Sequence, residues 1–156
     1  MKYSHAYDSP AGRIYIAESD GAITDLVFRP VEGSVEQETE LLSRAIQMLR
    51  EYFAGTRREF DLPLDPSGTA FQKKAWTALL SIPYGQTRTY KQQAEAIGNP
   101  KACRAVGSAN GKNPISIFIP CHRVIGSDKT LTGYGGGLEI KQALLELERK
   151  HSAYTL

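Results

Sequence analysis

The sequence predicts an α+β fold, with a small antiparallel sheet and a covering helix in the N-terminal part and a mostly helical C-terminal part. Three observations predict it. The first 28 residues alternate short β-rich runs with turn signals, residues 34–55 carry apolar side chains at helical spacing, and beyond Pro66 the pattern becomes a series of capped helices.

In the first stretch, residues 2–7, 13–17 and 22–28 are the strands, separated by Ser9-Pro10-Ala11-Gly12 and by Asp20-Gly21. They read as a three-stranded meander. The helix over 34–55 carries Leu42, Ile46, Leu49 and Phe53 on one stripe, opens on a Ser34/Gln37 capping box and stops at Gly55. A short strand is expected around Phe60. The Pro- and Gly-punctuated segment 61–68 then marks a boundary, dividing the chain into 1–65 and 66–156.

Past the boundary, residues 69–80 form a helix with Phe71, Ala75, Trp76, Leu79 and Leu80 on its apolar face, ended by Pro83-Tyr84-Gly85. Thr89 and Gln92 form a second capping box, opening a helix through Ile97, and Gly98-Asn99-Pro100 breaks it. Residues 101–109 are a third helix. The pair has helix-turn-helix spacing, with Lys101 and Arg104 on its second member, although two short helices around a glycine turn also describe a hairpin that serves packing alone. The apolar run 115–119 leads through Pro120 into Cys121-His122-Arg123-Val124-Ile125, so most of its side chains must be buried. A final helix covers about 138–150.

Composition bounds the function. With 156 residues and 41% hydrophobic content the chain can build a real core without staples. It holds no apolar run long enough to span a bilayer, and Met1-Lys2-Tyr3-Ser4-His5 lacks the hydrophobic stretch of a secretory signal, so a cytoplasmic location is expected. Two cysteines, Cys103 and Cys121, exclude a disulfide framework and a four-cysteine zinc site. The net charge of +2 conceals an asymmetry: residues 1–65 hold 7 Lys/Arg against 12 Asp/Glu, whereas residues 66–156 hold 12 against 5. A basic half of this kind attracts a polyanion.

The reactive candidate is Cys121. A thiol with an ordinary pKa is only about 3% ionised at neutral pH, and the thiolate is the nucleophile, so Cys121 needs a base. His122 is adjacent, but neighbouring side chains in an extended chain point to opposite sides, which favours a bridging water over a direct bond. A third group must then fix the tautomer of His122. Glu148, four residues after Leu144 and three after Leu145, falls beside the apolar stripe of the last helix and can serve, though by spacing alone a solvated carboxylate beside Arg149 and Lys150 is the better fit. Cys103, within a helix and without a neighbouring histidine, suits a packing role.

Pro120-Cys121-His122-Arg123-Val124, with Asn113-Pro114 before it and Gly133-Tyr134 and Gly136-Gly137-Leu138 after it, resembles the O6-alkylguanine-DNA alkyltransferases. The match extends through Tyr84-Gly85, Thr89-Tyr90, Gly98-Asn99-Pro100, Arg104-Ala105-Val106-Gly107 and Glu148, covering about residues 68–150 strongly and the first 65 more weakly.

The resemblance implies a ribonuclease H-like N-terminal domain and a winged-helix-like C-terminal DNA-binding domain. It implies direct, irreversible, single-turnover transfer of an alkyl group, mainly methyl, from O6 of a flipped guanine to Cys121, with O4 of thymine an open second target. His122 becomes the water-mediated base, Glu148 its orienting acid, Tyr134 a donor to the guanine ring and Asn113 the tie of the active-site turn. Arg104 fills the vacated stack, Tyr90 crowds the phosphate, and Thr89, Arg123 and Lys101 join them on the DNA. Val124, Gly135, Gly136 and Gly137 line the substrate pocket. Some members of that family hold zinc in the N-terminal domain, but residues 1–65 here contain no Cys and only His5, so no metal is expected. No cofactor and no obligate protein partner are expected either, and the expectation is a monomer acting on duplex DNA that carries alkylated guanine. A Cys-His-Glu hydrolase and a non-catalytic lesion-binding module are the competing readings; the first lacks an evident oxyanion motif, and the acceptor cysteine argues against the second.

Overall fold

The structure is a computed structural model that describes residues 1–128, 134 and 136–152. The meander is present as β1 (Lys2–Ser9), β2 (Gly12–Ser19) and β3 (Ala22–Val27), antiparallel throughout. A two-residue strand, β4 (Val35–Glu36), adds to β1 in parallel, giving the order β3-β2-β1-β4. This corrects the expected start of the first helix. Ser34 caps no helix: its hydroxyl meets Ser4 and donates to Val31 O, and the chain stays extended until Thr39, whose hydroxyl accepts from Leu42 N and caps α1 (Glu40–Phe53). Pairing with a sheet edge satisfies the backbone of this segment better than the frayed first turns of a helix would.

Leu42, Ala45, Ile46, Leu49 and Tyr52 of α1 are buried against Ile14, Ile16, Ile23 and Leu26 of the sheet. The helix stops at Gly55, which has positive φ; a Cβ there would overlap the ring of His151.

No strand forms around Phe60, a second correction. Phe60 instead packs its ring on Phe118 and Tyr52, with centroids 4.7 and 5.4 Å away, and the backbone reaches the sheet only at Leu64. Ile23 N donates to Pro63 O and Asp65 N to Ile23 O, both at 2.8 Å. The other contact along β3 is made from residues 114–116, where Leu26 N donates to Pro114 O at 2.8 Å and Ser116 N to Leu26 O at 3.0 Å. The edge of the N-terminal sheet thus holds the segment that leads to Cys121. The main hydrophobic core is accordingly continuous, joining Ile14, Leu26 and Leu49 to Trp76, Leu79, Ile115 and Leu144.

In the helical part, α2 (Ala70–Leu79) and α3 (Tyr90–Ala96) both open on complete capping boxes, Thr69 with Gln72 and Thr89 with Gln92. Of the expected face of α2, Ala75, Trp76 and Leu79 are buried, while Leu80, just past the helix, is 52% exposed. The next helix, α4 (Cys103–Gly111), begins two residues later than expected, so Lys101 lies in the turn before it. Pro100 disfavours helical backbone at the residue before it, and the turn closes through Ala102 N to Asn99 O at 3.0 Å. A small satellite core of Ala94, Ile97 and Val106 locks α3 on α4. Two-residue strands β5 (Arg88–Thr89) and β6 (Val124–Ile125) pair in parallel, and α5 (Leu138–Ser152) completes the fold. Among the described residues no helix is long and apolar enough to cross a membrane, and no three His, Cys, Asp or Glu side chains converge as a metal site.

Candidate active site

The approach to Cys121 is a strained turn. Ile117 has φ +71°, which a β-branched residue adopts only under constraint, at a cost of roughly 1–3 kcal/mol. Asn113 supplies the constraint. Its Oδ1 accepts from Ile115 N at 3.0 Å and its Nδ2 donates to Ile119 O at 2.9 Å, so one amide bridges both arms of the turn. Ile115, Ile117, Phe118, Ile119, Cys121 and Val124 are buried, as the apolar run required.

At Cys121 the chain is not extended. Residues Cys121–Arg123 form a single turn of 3-10 helix, with Arg123 N donating to Pro120 O at 3.1 Å. Three residues per turn separates successive side chains by about 120°, so the Cys121 thiol and the His122 ring still diverge, for a reason other than alternation.

His122 is fully buried, and its Nε2 lies 2.6 Å from Glu148 Oε2. The carboxylate can only accept here, so Nε2 carries the proton and Nδ1 is left as the basic nitrogen; no described group hydrogen-bonds to Nδ1. Burial lowers the His122 pKa against the opposing pull of Glu148, which keeps the ring neutral. Cys121 is 4% exposed, and burial pushes its thiol up to about 11, with Asn113 and Lys141 opposing. The resting site is therefore a neutral thiol beside a neutral imidazole.

Glu148 is the centre of the network. Arg123 donates to it through Nε to Oε1 at 2.8 Å and Nη2 to Oε2 at 3.0 Å, Tyr52 through its hydroxyl to Oε2 at 2.6 Å, and Gly85 through its amide to Oε1 at 3.1 Å. Burial resists ionisation of Glu148, but His122 and Arg123 outweigh it and hold the carboxyl well below its usual range. With His122 neutral, Arg123 is the permanent counter-charge. Gly85 has positive φ, and a Cβ there would overlap the Ser152 hydroxyl, so only glycine lets this loop close on α5.

Arg123 is a correction. Expected on the DNA, it is 6% exposed, and its third nitrogen, Nη1, donates to Ile82 O at 2.8 Å. A planar donor fork matches a carboxylate so well that the buried pair captures it from the surface. Arg104 and Lys101 are exposed, while Thr89 and Tyr90 are half-buried at the start of α3. The Thr89 hydroxyl is engaged as a cap, and Lys141 Nζ lies 5.8 Å from the centre of the Tyr90 ring.

Tyr134 is buried, its hydroxyl without a hydrogen bond of good geometry although Ser116 is near, and burial raises its pKa well above 10. Val124 is fully buried, and Gly136 faces the Phe28 ring so closely that a Cβ would overlap it. Gly137 has positive φ; its carbonyl accepts from Lys141 N at the opening of α5. Gly135 and residues 129–133 lie outside the described residues. A cleft of about 620 Å³ bordered by Tyr84, Pro120 and Arg123 opens behind this assembly without including Cys121; the site is placed at the sulfur because the polar network converges beside it.

Sequence reasoning missed three members: Tyr52, Gly85 and Lys141. Lys141, Leu144 and Glu148 are the buried residues of α5, an i, i+3, i+7 stripe that was available as a signal. Nothing local pointed to Tyr52, which is 96 residues from Glu148.

Comparison with known proteins gives the family of the chain. Residues 2–66 match the family model for the ribonuclease-like domain of 6-O-methylguanine DNA methyltransferase, and residues 70–150 match that for its DNA binding domain. The chain is 49% identical over 154 residues to a methylated-DNA--protein-cysteine methyltransferase of Mycolicibacterium paratuberculosis, covering 96% of this chain and 93% of the relative. It is 47% identical over 159 residues to the constitutive enzyme of that name from Bacillus subtilis, covering 96% of each. A crystal structure of Mycobacterium tuberculosis OGT in complex with DNA superposes with a TM-score of 0.89 at 47% identity, covering 96% of this chain and 94% of that one. With a family model over each half and such identity along nearly the whole length, this chain belongs to the 6-O-methylguanine DNA methyltransferase family.

Proposed function

We propose that the protein repairs DNA by direct reversal, moving an alkyl group from O6 of guanine in duplex DNA to the sulfur of Cys121. The observation that carries this reading is the buried His122, oriented by Glu148 through Nε2 and left with a basic Nδ1, immediately beside a buried thiol. Neither group is ionised at rest, so the proton must leave sulfur as the reaction proceeds.

The thiol proton passes to His122 Nδ1 through a bridging water, sulfur attacks the alkyl carbon, and the carbon–O6 bond breaks. Guanine departs and takes a proton. Tyr134 assists, since its raised pKa keeps the phenol protonated and its unpaired hydroxyl is a donor for the ring. The backbone carbonyls of Cys121 and Val124 receive the exocyclic amine, and the small glycines at 136 and 137 let the backbone approach the flat base closely. Cys121 ends as a thioether, which nothing in the mechanism cleaves, so each molecule acts once.

A base in the stack cannot reach a buried sulfur, so the nucleotide must be flipped out. In this reading Arg104, exposed on α4, enters the vacated stack, Tyr90 presses on the phosphate, and Thr89 and Lys101 hold the backbone. Exposed Lys73, Lys74, Lys91 and Lys112 extend the basic surface. The division of labour places structural support in 1–65 and DNA binding with transfer in 66–156. Action as a monomer in the cytoplasm completes the proposal.

The test is duplex DNA carrying labelled O6-methylguanine. Label should move to Cys121 at no more than one methyl per chain, and Cys121→Ala should abolish transfer while leaving DNA binding largely intact. DNA binding without any mass increase on Cys121 would instead favour a lesion-binding module.

A further inference from the structure

The carboxylate that orients His122 is held from two sides. Arg123, His122 itself and the Gly85 amide approach from the C-terminal half. One hydroxyl comes from the N-terminal half: Tyr52, in the last turn of α1, donates to Oε2 at 2.6 Å, and Oε2 is the oxygen that also receives His122 Nε2.

Tyr52 is completely buried, and its ring is fixed by Phe53, Phe60 and Tyr84 at centroid distances of 5.2, 5.4 and 6.1 Å. Phenylalanine would pack the same ring contacts. A buried hydroxyl is costly unless it finds a partner, and this one has found the oxygen that controls the base. An oxygen accepting two short hydrogen bonds spreads its charge between them and pulls less strongly on each proton.

We propose that Tyr52 is a positioning residue for the alkyl transfer, fixing Glu148 Oε2 and setting the basicity of His122 from across the domain boundary. The proposal rests on the reading of His122 as the base for Cys121. Other charged and titratable groups face this network: Cys121 and Arg123 in the same turn, Lys141 from α5, Tyr134 from the loop before it, and Tyr84, which lies between Arg58 and Arg123. None of these donates to Oε2 except Arg123, and Arg123 is shared with Oε1.

The direction follows. Without the Tyr52 hydroxyl, more negative charge is left on Oε2 for Nε2–H, the imidazolium is favoured, and the His122 pKa rises. Transfer needs neutral imidazole, so the acid limb of the rate moves to higher pH.

The experiment uses the full-length protein with Tyr52→Phe. The His122 ring is titrated by NMR in the unalkylated protein, and single-turnover methyl transfer from duplex DNA is followed across pH. The His122 midpoint should rise by about 0.5 pH unit or more, with the acid limb moving alongside it and the endpoint still one methyl per chain. Because removal of a buried hydroxyl can disturb packing, 3-fluorotyrosine at position 52 supplies a second arm. Its shape is nearly unchanged and its hydroxyl is a stronger donor, so the midpoint should fall. Unchanged midpoints in both variants, or a rate lowered by the same factor at every pH, would overturn the proposal. Midpoints that move as expected in a protein that never takes up label would uphold the Tyr52 link and remove the transfer reading instead.

Discussion

Arg123 and Glu148 form a bidentate pair in which the side chains are 8% and 1% exposed. The arginine that follows Cys121-His122 is thereby a structural counter-charge. Arg123→Ala should destabilise the fold by about 3–5 kcal/mol, because it strands a buried carboxylate. Urea denaturation measures the loss. The salt dependence of DNA binding by the folded fraction should stay as in the parent; a shallower slope would return Arg123 to the phosphates.

The helix pair that carries Arg104 is set by another buried contact. Gln93 and Asn110 exchange amide hydrogen bonds at 2.9 and 2.7 Å, and Gln93 also donates to Ala75 O at 3.1 Å, tying α2, α3 and α4 together. Asn110→Leu leaves the Gln93 carbonyl unpaired in the interior. It should lower stability by about 1–3 kcal/mol and weaken DNA binding. Stability lost with DNA affinity intact would show that the pair does not fix the angle of α4.

Arg104 is exposed in the first turn of α4, with no described partner that would fix it in the free protein. If it replaces an extruded guanine, Arg104→Ala should slow transfer from duplex DNA by about tenfold or more, and leave reaction with free O6-methylguanine base changed by less than about twofold. Equal losses on both substrates would exclude the stack-filling role.

These contacts show which features could be read from the chain. The meander, the Thr89 box and the burial of 115–124 rest on neighbours within a few residues, where side-chain period and capping chemistry act directly. Cys121 and His122 are adjacent in the chain, whereas spacing alone favoured a solvated Glu148, and only the folded α5 shows it buried against His122. The first turns expected after Ser34 failed because β1 offered that segment an edge, which is a tertiary event. Arg123 was misplaced for the same cause, since an arginine looks alike in sequence whether it meets a phosphate or a buried carboxylate. Tyr52 could not be found at all, because its function is defined by an acceptor on the far side of the core.

The buried thiol and imidazole together set a pH window for stability. His122 is held below its unfolded value of 6.5, so the unfolded chain takes up a proton first as pH falls and stability is lost below about 6.5; Glu148, also depressed, steepens the loss below about 4.5. Cys121 acts in the opposite direction. Its pKa rises from 9.0 to about 11, so the unfolded chain loses its proton first as pH rises, and the contribution disappears between those values. Two units correspond to about 3 kcal/mol. Thermal melts across pH should therefore show a plateau between about 6.5 and 9. The alkaline slope should be shallower in protein already methylated on Cys121, because a thioether does not titrate, although Tyr52 and Tyr134 still lose their protons late. Identical alkaline slopes before and after methylation would mean that the thiol is not buried in its neutral form.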